Sequence, residues 1–184
     1  QLVGVNPPIV LDPTLLLSKE QWLNLVKDEK RLVKGDYIFF YTLFADPDRM
    51  NIVKRISEAL GLPVVTSNFS NQYDVFNPFI KRYDAGPLDF LTLIRDAKLV
   101  VVSSFHGTVF STLLNVPFFA IDGMSDARIS TLLKTAGLEN REITIENVEE
   151  KCKDAYNVDF EGVNKRIEVS RKPSIEFLQK SLEV

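Results

Sequence analysis

Three short apolar runs constrain this chain more than anything else in it. "DYIFFYTLF" (36–44), "KLVVVS" (98–103) and "VPFFAI" (116–121) are of strand length and do not alternate with polar residues. A strand with one wet face alternates, so an unbroken run marks a strand covered on both faces, the condition of a parallel sheet sandwiched between helices. The aromatics of the first run and the Phe pair of the third are accordingly read as core.

The segments between these runs read as helices. Ser18 is placed to cap a helix through "KEQWLNLVKDEKRL" (19–32), with Trp22, Leu25 and Val26 on one face. "DPDRMNIVKRISEALG" has Ile52, Ile56, Ala59 and Leu60 at helical spacing and Gly61 as a stop. "PVVTS" (63–67) reads as a short strand, and 68–85 as an irregular connection. In "GPLDFLTLIRDA", Pro87 sits in a first helical turn, where its missing N–H costs nothing. "HGTVFSTLLN" and "DARISTLLKTAG" are two further helices, and "EITI" is a last short strand. A charged amphipathic helix from Val163 to Leu182 is expected to bend or split at Pro173. Strands alternating with helices make right-handed βαβ units. The predicted fold is one doubly wound, Rossmann-like α/β domain: three layers, a parallel sheet with helices on both faces.

Composition narrows the function. The formal net charge is −3 and the basic residues are scattered, so no nucleic-acid partner is expected. One cysteine, Cys152, excludes an internal disulfide and reads as an ordinary thiol. One histidine and one cysteine do not supply the ligands of a zinc site, and no metal or cofactor is expected. No run reaches the roughly 18–20 apolar residues of a membrane span, and no signal-peptide pattern is present, which points to the cytoplasm. The opening "QLVGVNPPIVLDPT" begins in mid-phrase and reads as a segment entering from a preceding domain. The expected division is therefore 1–14 as entry segment and 15–184 as one domain.

The single histidine, His106, follows the strand 99–103 at a tight joint. Open parallel sheets bind ligands beyond the carboxyl ends of their strands, where the next helices start. The first turn of such a helix presents unpaired N–H groups and the positive end of its dipole. With Ser103, Ser104, Phe105, Gly107 and Thr108 around it, His106 completes a cradle for a phosphate or carboxylate and is able to move a proton. Three plainer readings stand beside this one: Ser103 or Ser104 as a helix N-cap, Gly107 as a point of close helix–sheet packing, and His106 as a capped, solvated side chain near a helix start. Asp126 and Arg128 follow the next strand. They read first as a helix cap and a surface cation, and otherwise as partners of an anionic ligand on the same rim. Asp89 complements its own helix start.

"LDPTLLLSKEQW", "GPLDFLTLIRDAKLVVVSSFHGTVFSTLLNVPFFAI" and "DARISTLLKTAGLENR", in that order, resemble the polysaccharide pyruvyl transferase family, with "SFHGT" the most specific part. The resemblance spans most of residues 10–141. It implies two Rossmann-like domains facing a cleft, as in GT-B glycosyltransferases, of which this chain supplies the C-terminal, donor-side half. It implies transfer of the enolpyruvyl group of phosphoenolpyruvate to sugar hydroxyls as a ketal in surface polysaccharide synthesis. The acceptor is a saccharide or lipid-linked oligosaccharide, met at the membrane surface and gripped largely by the N-terminal half, so the 184-residue chain alone is expected to be inactive. His106 corresponds to the histidine of the family's Arg-Leu-His donor motif; Ser104 and Phe105 stand at the other two positions, as in a branch carrying Ser-Phe-His. The guanidinium missing at Ser104 is one that Arg128 or the N-terminal half replaces, or the donor differs. Two alternatives remain: a GT-B-like glycosyltransferase using a nucleotide-sugar, with Asp89 or Asp126 on the ribose, and a non-catalytic domain binding an anion or sugar phosphate.

Overall fold

The computed structural model describes residues 4, 8–44, 46–67 and 78–182. Six strands form one sheet: β1 (Ile38–Tyr41), β2 (Val64–Thr66), β3 (Ile80–Lys81), β4 (Leu99–Val102), β5 (Phe118–Ile121) and β6 (Glu142–Ile143). Their order is β3-β2-β1-β4-β5-β6 and every pairing is parallel. The helices are α1 (Lys19–Leu25), α2 (Pro47–Leu60), α3 (Pro87–Arg95), α4 (Phe105–Leu113), α5 (Ala127–Ala136), α6 (Val148–Cys152) and α7 (Phe160–Leu182). Short 3-10 turns lie at Pro13–Leu16 and Glu139–Arg141.

The predicted three-layer Rossmann-like fold is the observed one, and the strands show why their sequences do not alternate. Phe39, Val100, Val102, Phe118 and Ala120 enter one core with residues of α3, α4, α5 and α7. Ile38, Phe40, Leu99, Val101, Phe119 and Ile121 enter the other, with residues of α2 and α6. Successive side chains point to opposite faces, and both faces are dry.

Four local expectations are corrected. The first helix stops at Leu25, not Leu32. Arg95 hydrogen-bonds the carbonyls of Val26 and Glu29, which a longer helix needs for its own amides. Val26 is buried as expected, but Leu25 is 53% exposed. The apolar run 36–44 outlasts its strand: Leu43 and Phe44 lie past the sheet and are exposed, so they are not core. Ala59 lies on the exposed face of α2, while Ile52 and Ile56 are buried.

The fourth correction concerns the last helix, which begins at Phe160 and runs unsplit through Pro173. The carbonyl that Pro173 deprives of a donor belongs to Val169, which is 75% exposed, so that acceptor is open to solvent and the missing N–H costs little. Of the expected irregular connection, 68–77 lies outside the described residues; 78–85 contains β3 and a turn.

Cys152 is a buried thiol whose pKa is pushed up by burial and by Glu149, the opposite of an activated nucleophile. Among the described residues no helix is long and apolar enough to cross a membrane, and no three His, Cys, Asp or Glu side chains converge as metal ligands.

Candidate functional site at the switch point of the sheet

The strand order reverses between β1 and β4, which opens a crevice at their carboxyl ends. The residues that meet there are Thr42, just past β1, and Ser103 and Ser104, just past β4. The Thr42 and Ser103 hydroxyls are 2.5 Å apart. Thr42 also donates to the Phe44 carbonyl at 2.8 Å, so its proton is committed and Ser103 is the donor between the two hydroxyls. The Ser103 oxygen keeps lone pairs able to accept a further hydrogen bond.

Ser104 is the N-cap of α4 with extended backbone angles, but its side chain makes no capping bond. Among the described residues no protein group takes the amides of Phe105, His106 and Gly107, the three orphan donors of the first turn. The start of α5 is different: Asp126 accepts from the amides of Arg128 at 2.8 Å and Ile129 at 3.1 Å. Of the two helix starts beside β4 and β5, only that of α4 leaves its donors and dipole to a ligand.

Gly107 and Thr108 face inward. A Cβ on Gly107 would lie 2.7 Å from Val102 Cγ1, so glycine is needed there to seat α4 on β4. Thr108 is fully buried, and its hydroxyl donates to the Ser104 carbonyl at 3.0 Å. The expected hydroxyl of Thr108 is therefore turned into the helix, because position 108 lies on the face that packs against the sheet. What Gly107 offers the rim is its N–H.

His106 stands on the open side, its side chain 56% exposed. Its ring meets Phe105 edge-on with centroids 5.3 Å apart. The Arg128 guanidinium carbon lies 5.2 Å from the centroid of the same Phe105 ring, and Arg128 also pairs with Asp126 at 3.3 Å. The structure thus links His106, Phe105, Arg128 and Asp126 on one rim. The Asp126 carboxylate lies below the usual aspartate range: burial pushes it up, but the Ile129 amide and both the guanidinium and amide of Arg128 outweigh that. Asp89 donates nothing to this rim; it accepts from the Gly86 amide at 2.9 Å at the start of α3.

Besides Thr42, two features escape sequence reading. Asp12 Oδ2 lies 3.8 Å from His106 Nε2, although Asp12 reads as no more than part of the entry segment. A cleft of about 490 Å³ also opens beside Phe105 and Arg128, walled by Leu11, Leu15, Leu132 and Val169. The signal for Asp12 is its place before Pro13, a turn-capping pattern that says nothing of its neighbour in space.

The chain is similar in fold to the solved N-terminal domain of a Candida albicans trehalose-6-phosphate phosphatase, with a TM-score of 0.50 and 15% sequence identity. The similarity covers 96% of this chain and 50% of that one, so the chain spans about half the length of the structure it matches. No curated protein matches it in sequence. A family model, polysaccharide pyruvyl transferase, matches residues 1–123, a stretch holding Asp12, Thr42 and the whole turn from Ser103 to Thr108. The chain belongs to the polysaccharide pyruvyl transferase family, whose chemistry joins a pyruvyl donor to a saccharide acceptor.

Proposed function

We propose that this chain is the donor-binding half of an enzyme that transfers pyruvate from phosphoenolpyruvate to sugar hydroxyls as a ketal in surface polysaccharide synthesis. The observation that carries the reading is the uncapped first turn of α4 at the switch point, with the exposed imidazole of His106 above it.

The amides of Phe105, His106 and Gly107 hold the phosphate or carboxylate of the donor. The unengaged Ser104 side chain adds a hydroxyl donor, and Arg128 supplies the guanidinium that position 104 lacks. Asp126 aims Arg128 across Phe105, and Ser103 accepts from a sugar hydroxyl. In the reaction the methylene carbon of phosphoenolpyruvate takes a proton and becomes the methyl group. Two sugar hydroxyl oxygens bond to the adjacent carbon, and the bond to the phosphate oxygen breaks. Of the two hydroxyl protons released, one balances that taken by the methylene and the other leaves with phosphate. His106 serves as the acid or as the cation that holds the donor. The saccharide or lipid-linked acceptor is gripped largely by an N-terminal half of GT-B type, from which residues 1–14 enter. This work belongs at the cytoplasmic membrane surface.

A nucleotide-sugar donor is disfavoured because each carboxylate that could hold its ribose is already taken: Asp126 has both oxygens engaged and Asp89 caps α3. The test is calorimetric titration with phosphoenolpyruvate, with His106→Ala and UDP competition as controls. Saturable binding that His106→Ala abolishes and UDP does not displace supports the proposal. Displacement by UDP supports the nucleotide-sugar reading. Donor binding without turnover by the protein carrying both halves supports a non-catalytic domain.

A further inference from the structure

A second cleft, of about 610 Å³, opens on the carboxyl edge of the sheet, between α3 and α4. Its walls are Tyr41 at the end of β1, Leu43 beyond it, Ser67 just past β2, Phe90 of α3, Phe110 of α4 and Trp22 of α1. The four rings form a continuous chain. Their centroids are 4.9 Å apart for Trp22 and Phe110, 6.1 Å for Phe110 and Phe90, and 4.7 Å for Phe90 and Tyr41. Tyr41 belongs to an apolar run that reads as core, yet it is half-buried, and Leu43 is 64% exposed. A concave, aromatic-walled cleft of this size is in the range of small-molecule sites.

The lining selects the chemistry of the occupant. Among the described residues no charged side chain lines the cleft, so a ligand group seated inside it is neutral. The free polar groups are hydroxyls: among the described residues Tyr41 Oη and Ser67 Oγ have no hydrogen-bond partner, and each can both donate and accept. Trp22 Nε1 is already given to the Thr14 carbonyl at 2.9 Å, so Trp22 offers its ring alone. A pyranose carries C–H groups on its faces and hydroxyls around its rim, which matches aromatic walls with hydroxyls set among them. A nucleobase stacks as well, but its amide edge needs in-plane partners. The Gly86 amide at the start of α3 is already taken by Asp89.

The cleft adjoins the uncapped turn of α4. A Cβ on Gly107 would lie 3.5 Å from Tyr41 Cδ1, so the Tyr41 ring borders the turn whose amides are unclaimed. Thr42, the next residue, is joined to Ser103 at the switch point. We infer that this cleft seats a neutral sugar ring, that of the saccharide acceptor, against Trp22, Phe90 and Tyr41 and beside the first turn of α4. Tyr41 is both a wall for the ring and the hydroxyl that orients it. The role of acceptor rests on the proposed function; the affinity of the cleft for a sugar ring does not.

The experiment titrates the 184-residue chain, without phosphoenolpyruvate, with the methyl glycosides of glucose, galactose, mannose and N-acetylglucosamine, and with uridine. Trp22 is the one tryptophan of the chain, so its fluorescence reports on this cleft, and saturation-transfer NMR reports which sugar protons touch the protein. At least one glycoside should change the Trp22 emission saturably and receive magnetisation on its ring C–H protons. Tyr41→Phe keeps the ring and removes the hydroxyl. It should keep the thermal midpoint and weaken that binding about three- to tenfold, the equivalent of one hydrogen bond. Phe90→Leu keeps apolar bulk, removes a ring, and should weaken it as well. Silence with all four glycosides, a response to uridine alone, or binding that neither variant weakens overturns the inference. Sugar binding in a chain that does not bind phosphoenolpyruvate leaves this site standing and removes the donor reading; the converse result removes this site alone.

Discussion

Arg128 lies over the ring of Phe105, its guanidinium carbon 5.2 Å from the ring centroid, and Phe105 in turn touches His106. An aromatic side chain thus lies between the guanidinium of Arg128 and the imidazole of His106 and contacts both. Replacing Arg128 by Ala is expected to weaken phosphoenolpyruvate binding about tenfold, the range for one charged hydrogen bond at an open site. Arg128→Lys keeps the charge but not the planar fork, so it should recover only part of the loss. Calorimetry on the three proteins measures the order.

Gly107 and Val102 are in contact where α4 sits on β4. Gly107→Ala places a methyl carbon 2.7 Å from Val102 Cγ1 and 3.2 Å from its Cβ. The helix must lift or Val102 must turn, at a cost of about 1–3 kcal/mol. Urea unfolding should show the lower midpoint. Val102→Ala in the same chain should restore part of it by making room.

Among the described residues Arg141 is the largest fully buried side chain, and its hydrogen bonds go to backbone carbonyls. It donates to the carbonyls of Phe118 at 2.8 Å, Asp154 at 3.2 Å and Ala155 at 2.7 Å, and lies over the Phe119 ring. Burial pulls its pKa down to about 10. Arg141→Ala leaves three carbonyls without their donors and is expected to cost about 3 kcal/mol or more. Arg141→Lys should fall between the two, and thermal unfolding ranks them.

Asp126 gives the acid limb of stability a named contributor. Its pKa is lowered in the folded chain, so its charged form favours folding above the unfolded value near 3.8. That contribution is lost as pH falls through the folded value. Asp126→Asn keeps the cap on α5 without the titration, so its stability should depend less steeply on pH below about 4. Unfolding midpoints between about pH 2.5 and 6 decide it, and parallel curves for the two proteins refute it.

Ser174 ties the entry segment to α7 through the Leu11 amide. Ser174→Ala removes that acceptor while leaving α7 helical. The Leu11 amide should then exchange with solvent faster, with no comparable change at Phe39 in the central strand.

Much of this molecule can be read from the chain alone. Period and punctuation are local, so buried strands, helices starting at Pro47 or Pro87, and stops at Gly61 and Gly137 are written in neighbouring residues. The alternation of strands and helices determined the parallel sheet, and the turn holding His106 followed from the end of β4. What neighbours in sequence cannot encode is which hydrogen bonds distant groups will take from one another.

Only tertiary structure ended α1 at Leu25, because Arg95 takes the carbonyls a longer helix needs. Packing against the sheet, not propensity, turned Thr108 inward and made Gly107 a contact with Val102. The crossover from β1 to β4 brought Thr42 to Ser103, and α7 pressed the turn at Pro13–Leu16 against α4 so that Asp12 faces His106. These contacts are long-range: each exists only once the whole sheet and its covering helices have formed.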